Sequence, residues 1–69
     1  MKNYLIVIEK TNTGYSAYSP DIDGCIATGV TKEEIHVNIH EAIEFHLKGL
    51  QLEGMDMPEP RSYAEYHQV

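Results

Sequence analysis

The segment Pro20-Asp21-Ile22-Asp23-Gly24-Cys25 is the point from which the fold can be predicted, first toward the N-terminus and then toward the C-terminus. Proline has no backbone N–H to donate to a strand ladder, so a strand that precedes it ends there. Aspartate and glycine favour turns, because aspartate bonds to nearby backbone and glycine adopts positive φ at little cost. We therefore predict a loop at residues 20–24, after a strand that ends at residue 19 and before one that begins at residue 25.

Before this loop, the pattern predicts a β-hairpin. Residues 3–9 are apolar on both faces, as in a strand that is covered on both sides or used as an interface. Residues 11–14, Thr-Asn-Thr-Gly, have turn chemistry, and residues 15–19 form the return strand. With residues 25–28 as the third strand, the first part of the chain is an antiparallel three-stranded meander.

After the loop, the sequence predicts one amphipathic helix. Thr31 can cap its N-terminus, Glu34 completes a capping box, and the helix runs from about Lys32 to about Leu52 before Gly54. At about 100° per residue, one arc carries the apolar side chains and one histidine. Its members are Ile35, Ile39, Ala42, Ile43, His46, Leu47 and Leu50.

The end of the sequence predicts a linker and a fourth strand. Residues 55–60, Met-Asp-Met-Pro-Glu-Pro, favour an extended path because of their two prolines. Residues 62–69 alternate weakly, which predicts a strand. The expected fold is α+β, in the order β-β-β-α-β, as a single domain over residues 1–69.

Composition narrows the classes of function. The formal charge is −6, from 11 acidic and 5 basic residues, which argues against direct binding of nucleic acid and suits a basic protein partner. Solubility alone also explains the charge. We expect no membrane segment, since the apolar run at the start is too short for a signal peptide or a span. The single Cys25 excludes an internal disulfide and fits the cytoplasm.

A chain of 69 residues has a small core, so we expect a homo-oligomer, either a dimer or a tetramer. We predict no enzyme activity, no cofactor and no metal. Asp21 and Asp23 are too few for a two-metal nuclease site. His36 and His40 are four residues apart on one helix face and could bind a metal with a third ligand, but packing or interface roles are more common.

The loop segment resembles the Pro-Asp-Leu-Pro-Gly-Cys segment of the HicB-like antitoxin family. The resemblance continues through Gly29 and Thr31, through Glu41-Ala42-Ile43 in the helix, and through Gly54 followed by Pro58-Glu59-Pro60. It covers nearly the whole chain. Asp23 stands where the family has proline.

The resemblance implies a partial ribonuclease H-like fold and an antitoxin function. Such proteins bind small basic HicA-like toxins that cleave RNA, and they cover the toxin's active site. Many members carry a C-terminal DNA-binding domain. We expect none in this short form.

From the acidic loop, the helix face and the tyrosines, we predict seven partner-binding residues: Tyr15, Tyr18, Asp21, Ile22, Asp23, Glu41 and Glu44. The alternative is a free-standing oligomeric HicB-like domain with an unrelated protein or small-molecule partner. A neighbouring gene for a small basic protein would favour the antitoxin.

Overall fold

The computed structural model describes residues 2–69 and contains an antiparallel sheet followed by one long helix. The strands are β1 (Val7–Lys10), β2 (Tyr15–Tyr18) and β3 (Ile26–Gly29), in the order β1-β2-β3, and the helix is α1 (Lys32–Leu52). The predicted meander and helix are confirmed. The first strand is shorter than predicted, because only its second half pairs with β2.

The turn between β1 and β2 is closed by a bond from the Thr11 N–H to the Gly14 carbonyl oxygen at 2.8 Å. A Cβ atom at Gly14 would lie only 2.3 Å from the carbonyl oxygen of Gly29. The turn therefore passes too close to the end of β3 for any side chain at this position. This contact explains the glycine better than turn propensity does.

Both ends of α1 follow the predicted signals. The Glu34 N–H donates to Thr31 Oγ1 at 3.0 Å, and Glu34 Oε1 accepts from the Val30 N–H at 2.8 Å. The Glu34 carboxylate thus accepts the backbone N–H of the residue before the N-cap rather than the N–H of the N-cap residue itself. At the other end, Gly54 has φ 72°, a left-handed conformation that glycine adopts without strain.

The core lies between the helix and the C-terminal two strands of the meander. Its fully buried apolar residues are Ala17, Ile22, Cys25, Ile35 and Ile39. The helix packs mainly on β3 and less on β2. A helix of 21 residues is about 31 Å long, whereas a four-residue strand spans about 13 Å, so α1 is much longer than the strands that it packs on.

The segment after the helix runs across one end of the sheet. There it contacts residues that come just before β1 in the chain. Tyr4 Oη donates to the Pro58 carbonyl at 2.7 Å, and Lys2 Nζ lies 2.8 Å from Glu59 Oε1. The hydrogen bond and the ion pair raise the pKa of Lys2 and lower that of Glu59. These contacts fix the linker beside the start of the chain.

The next contact of the linker is with the β2–β3 loop. The carboxylate of Asp21 accepts the backbone N–H groups of Arg61 and Ser62 at 3.0 and 2.9 Å, and the Ser62 hydroxyl at 2.9 Å. The linker therefore crosses from the β1 side of the sheet to the β2–β3 loop.

The prediction of a fourth strand at residues 62–69 is not met by the structure. Within residues 2–69, this segment has no regular secondary structure, and its large side chains Tyr63, Tyr66 and Val69 are fully or mostly exposed. A strand needs a neighbour to satisfy its backbone. Asp21 holds the beginning of the segment beside the β2–β3 loop, away from the free edge of β1.

Candidate functional site

One face of the sheet is left uncovered by the helix. Side chains alternate along a strand, and Ala17 and Ala27 belong to the helix side, since Ala17 is buried and Ala27 packs against the core. Their neighbours therefore point to the opposite side. We call this side the outer face, made by Val7, Glu9, Ser16, Tyr18, Ile26 and Thr28.

An apolar row crosses the outer face from edge to edge. Val7 is paired with Tyr18, and Tyr18 is paired with Ile26, so the three side chains lie side by side on adjacent strands. Tyr18 is 41% exposed and Ile26 is 67% exposed. The row is a contiguous apolar strip with an aromatic ring at its centre, which is the composition of an interface core.

The β2–β3 loop borders this row. Tyr18, Pro20, Asp23 and Ile26 line a shallow open depression whose floor includes Ile22. The loop is held by two turns, since the Ile22 N–H donates to the Ser19 carbonyl at 3.2 Å and the Cys25 N–H donates to the Ile22 carbonyl at 3.3 Å. Ile22 is 1% exposed and anchors the loop in the core. The border of the depression is thus rigidly placed.

The two loop aspartates have different roles in the structure. Asp21 binds the linker, and the N–H and hydroxyl of Ser62, with help from the Arg61 N–H and charge, lower the pKa of its carboxyl group. Asp23 is exposed at the rim of the depression. Glu9 adds a second exposed carboxylate on the outer face. The charge available to a partner at this face comes from Asp23 and Glu9.

The other predicted partner residues lie elsewhere. Tyr15 is half-buried on the helix side of the sheet. Glu41 and Glu44 are exposed on the side of α1 that points away from the sheet, and Glu44 Oε1 lies 3.4 Å from His40 Nε2. Of the seven predicted residues, the structure brings Tyr18 and Asp23 together on the exposed side of the sheet. Glu41 and Glu44 form part of the opposite layer.

Two residues of the row, Val7 and Ile26, were missed by the sequence reasoning. The signal was present in the alternation of the strands. When strands carry apolar side chains on both faces of a sheet and only one helix follows, the helix covers one face. The apolar side chains of the other face then stay uncovered. The register of β2 and β3 then places Tyr18 opposite Ile26, and only the structure gives that register.

Metal ligands do not converge within residues 2–69: no three His, Cys, Asp or Glu side chains form a group that could hold an ion. His36 and His40 are both exposed on the helix. Cys25 is buried, and burial raises the pKa of its thiol. In the same described range, no helix has the length and apolar character needed to cross a bilayer.

Sequence comparison decides the family. A model of the HicB-like antitoxins of bacterial toxin–antitoxin systems matches residues 4–69. The chain belongs to the HicB-like antitoxin family. Members of this family are regulatory proteins rather than enzymes, and the α+β fold described above is the one found in solved HicB structures.

Two solved structures and one phage protein show how closely this HicB-like chain follows its relatives. The HicA3 and HicB3 toxin-antitoxin complex matches with a TM-score of 0.72 and 42% identity, over 86% of this chain and 70% of that one. The crystal structure of antitoxin HicB3 matches with a TM-score of 0.71 and 44% identity, over 83% and 42%. An uncharacterized 14.9 kDa protein of Haemophilus phage HP1 is 38% identical over 63 residues, which is 91% of this chain. The chain spans 47% of the phage protein's length.

Proposed function

We propose that this chain neutralises a small basic HicA-like toxin by seating the outer face of its sheet over the toxin's RNA-cleaving site. Membership of the HicB-like family and similarity to a HicB chain solved with its toxin support a toxin partner. The choice of surface is our inference from the fold. The observation that carries it is the exposed apolar row of Val7, Tyr18 and Ile26.

The row has the properties of an interface centre. Tyr18 offers a large, rigid ring with a polar tip, and such residues contribute a disproportionate share of binding free energy. Ile26 is 67% exposed on a regular strand, so most of its apolar side chain stays in water after folding. The strand pairs fix both side chains in place, so little conformational entropy is lost when a partner binds.

Charge supplies the orientation. The chain has a net charge of −6, and Glu9 and Asp23 flank the apolar row. A basic toxin is attracted to such a surface, and complementary potentials speed the encounter and select the docking direction. Once seated, the acidic domain repels RNA phosphates from the cleft that it covers. Neutralisation then combines steric exclusion with electrostatic repulsion.

The test compares two arginine substitutions at positions of equal exposure. Ile26 and Val30 are each 67% exposed, but only Ile26 lies on the outer face. Wild-type protein, Ile26→Arg and Val30→Arg are each titrated against the small basic protein that tagged wild type recovers from its native lysate. Dissociation constants and inhibition of that protein's RNA cleavage are both measured.

We expect Ile26→Arg to weaken binding by roughly 30-fold or more, the size of a hot-spot loss, and to release RNA cleavage. Val30→Arg should behave like wild type. Equal affinities for all three proteins would show that the toxin binds another surface. A Glu41→Lys variant reports on the helix face, and a loss confined to it would move the site there. Recovery of a partner without RNA-cleaving activity would favour the free-standing domain.

A further inference from the structure

The outward edge of β1 carries unpaired backbone groups. The Thr11 N–H bonds to the Gly14 carbonyl across the hairpin, and in an antiparallel ladder alternate residues point to the same side. Val7 and Glu9 therefore direct their N–H and C=O groups to β2. Those of Ile6, Ile8 and Lys10 point away from the sheet, and no hydrogen bond to them occurs within residues 2–69.

The opposite edge of the sheet, formed by β3, is protected in part. Asn38 Nδ2 donates to the Thr28 carbonyl on the outward side of β3 at 2.8 Å, and the helix packs closely over this strand. An unprotected edge is an open template for pairing with another chain. Of the two edges, β1 is the less protected, because neither a side chain nor the helix bonds to its outward backbone groups within residues 2–69.

A groove runs beside the free edge of β1, on the helix side of the sheet. Because α1 packs on β3 and β2, Ile8 stays 44% exposed. The groove is lined by Ile8, Lys10, Tyr15, Lys32, Ile35 and His36. Two of the five basic residues of an acidic chain thus meet at an apolar surface. The groove suits a strand that carries apolar side chains and a carboxylate.

Residues 62–69 have the complementary properties. This segment, Ser-Tyr-Ala-Glu-Tyr-His-Gln-Val, alternates like a strand, and it makes no backbone bond beyond Ser62 within the described residues. Tyr63 is 79% exposed, and Tyr66 and Val69 are fully exposed. Its one acidic residue is Glu65. Within residues 2–69, neither the segment nor the outward edge of β1 is paired with a strand.

We propose that residues 62–69 of one copy pair along the β1 edge of a second copy, in a reciprocal two-fold dimer. Each sheet then gains a fourth strand from its partner. Glu65 lies over the groove, where it meets Lys10 and Lys32, and Tyr63 on the same side of the strand covers Ile8. The exchange satisfies backbone groups in both segments and closes both free edges at once.

The linker directs the segment to a second copy rather than to its own β1. Asp21 fastens residues 61 and 62 beside the β2–β3 loop, whereas the free edge lies on the far side of β1. The seven residues after Ser62 reach about 23 Å when extended. A path back across the end of the sheet would use part of that reach before any of these residues could pair with their own β1.

Amide hydrogen exchange on the full chain tests the pairing residue by residue. The amides of Ile6, Ile8 and Lys10 should exchange roughly a hundredfold more slowly than unprotected amides if a strand covers them. Val7 and Glu9 bond to β2 in either case and serve as internal references. Sedimentation over a range of protein concentrations gives the oligomeric state of the same samples.

The variant Ala64→Pro/Glu65→Pro removes two consecutive backbone donors, so one of them faces the acceptor strand whatever the register. Asp56→Pro is the matched control, since it also places proline at an exposed acidic position in the chain after the helix. We expect the double variant to be monomeric, with fast exchange at Ile8 and Lys10 and unchanged exchange at Val7. Asp56→Pro should remain dimeric.

Three results would overturn the proposal. A wild-type monomer with fast exchange at Ile8 and Lys10 would show that the edge stays open. A monomer with slow exchange there would show that the segment pairs within its own chain. A dimer that survives the double proline variant would be built through another surface. Each result leaves the toxin-binding proposal standing, because that proposal concerns the outer face.

Discussion

At the scale of single residues, Asp21 and Asp23 show how similar side chains acquire different functions. Both belong to the same turn and both carry a carboxylate. Asp21 accepts three hydrogen bonds from Arg61 and Ser62, which fixes a segment 40 residues away. Asp23 keeps its carboxylate exposed beside the apolar row. Charge at Asp21 therefore supports the fold, whereas charge at Asp23 is available to a partner.

Asp21→Asn should loosen the linker, because an amide oxygen is a weaker acceptor than a carboxylate and carries no charge. We expect faster exchange of the Arg61 and Ser62 amides, measured by NMR, with the core amides unchanged. Asp23→Asn is the control and should leave both amides as in wild type. If the two variants behave alike, the hydrogen bonds of Asp21 do not hold the linker.

The same contact predicts a pH dependence. The pKa of Asp21 is lowered in the folded chain from its ordinary value of 3.8. A lowered pKa means that the folded state favours the ionised form, so the stabilisation is complete above about pH 4 and disappears as pH falls through the folded-state value. The protection of the Ser62 amide, measured as its exchange rate relative to an unstructured amide at the same pH, should fall over that acidic range. In the Asp21→Asn variant, which has no carboxyl group at this position to titrate, this pH dependence should be absent.

At the scale of elements, the close approach of α1 to β3 determines how the two layers pack. A Cβ atom on Gly29 would lie 2.7 Å from the backbone nitrogen of Ile35 and 2.9 Å from its Cα atom. The helix therefore rests directly on the end of β3. Backbone atoms cannot move aside as a flexible side chain can, so this position accepts only glycine without a shift of the helix.

Gly29→Ala and Gly49→Ala form a matched pair for stability. The first should destabilise the fold by about 1–3 kcal/mol, because the helix must shift from β3. The second lies within α1, where an added Cβ atom has nothing within 4 Å, and it should stabilise by about 0.5–1 kcal/mol through helix propensity. Denaturant unfolding measures both. Equal effects would contradict the packing account.

At the scale of the whole molecule, the proposals use different surfaces of one small domain. The outer face carries the row of Val7, Tyr18 and Ile26, and the β1 edge carries the groove around Ile8 and Lys10. The two are separated by the plane of the sheet. A dimer formed at the edge would present two outer faces, so two toxin molecules could bind independently.

This separation predicts that toxin binding and dimer formation can be lost independently of each other. Ile26→Arg should weaken toxin binding and leave the dimer intact, as judged by sedimentation. The double proline variant at residues 64 and 65 should become monomeric and keep its toxin affinity within about threefold, since no residue of the outer face is changed. Coupled loss in both variants would show that the surfaces overlap.

The sequence by itself determined the local structure. The cap at Thr31, the turn at residues 11–14 and the period of the apolar residues predicted the meander and the bounds of the helix, and the ordered motif around Pro20 indicated the family. These signals act over a few residues, because a cap or a turn bonds only to its neighbours. Only the tertiary structure decided that Ile22 is buried, that Asp21 binds the linker, and that Glu41 lies on the opposite layer from Tyr18. It also decided that, within residues 2–69, the segment 62–69 does not join the sheet of its own chain. Each of these depends on contacts between residues far apart in the chain, such as Asp21 and Ser62 at a separation of 41, and no periodic pattern encodes them.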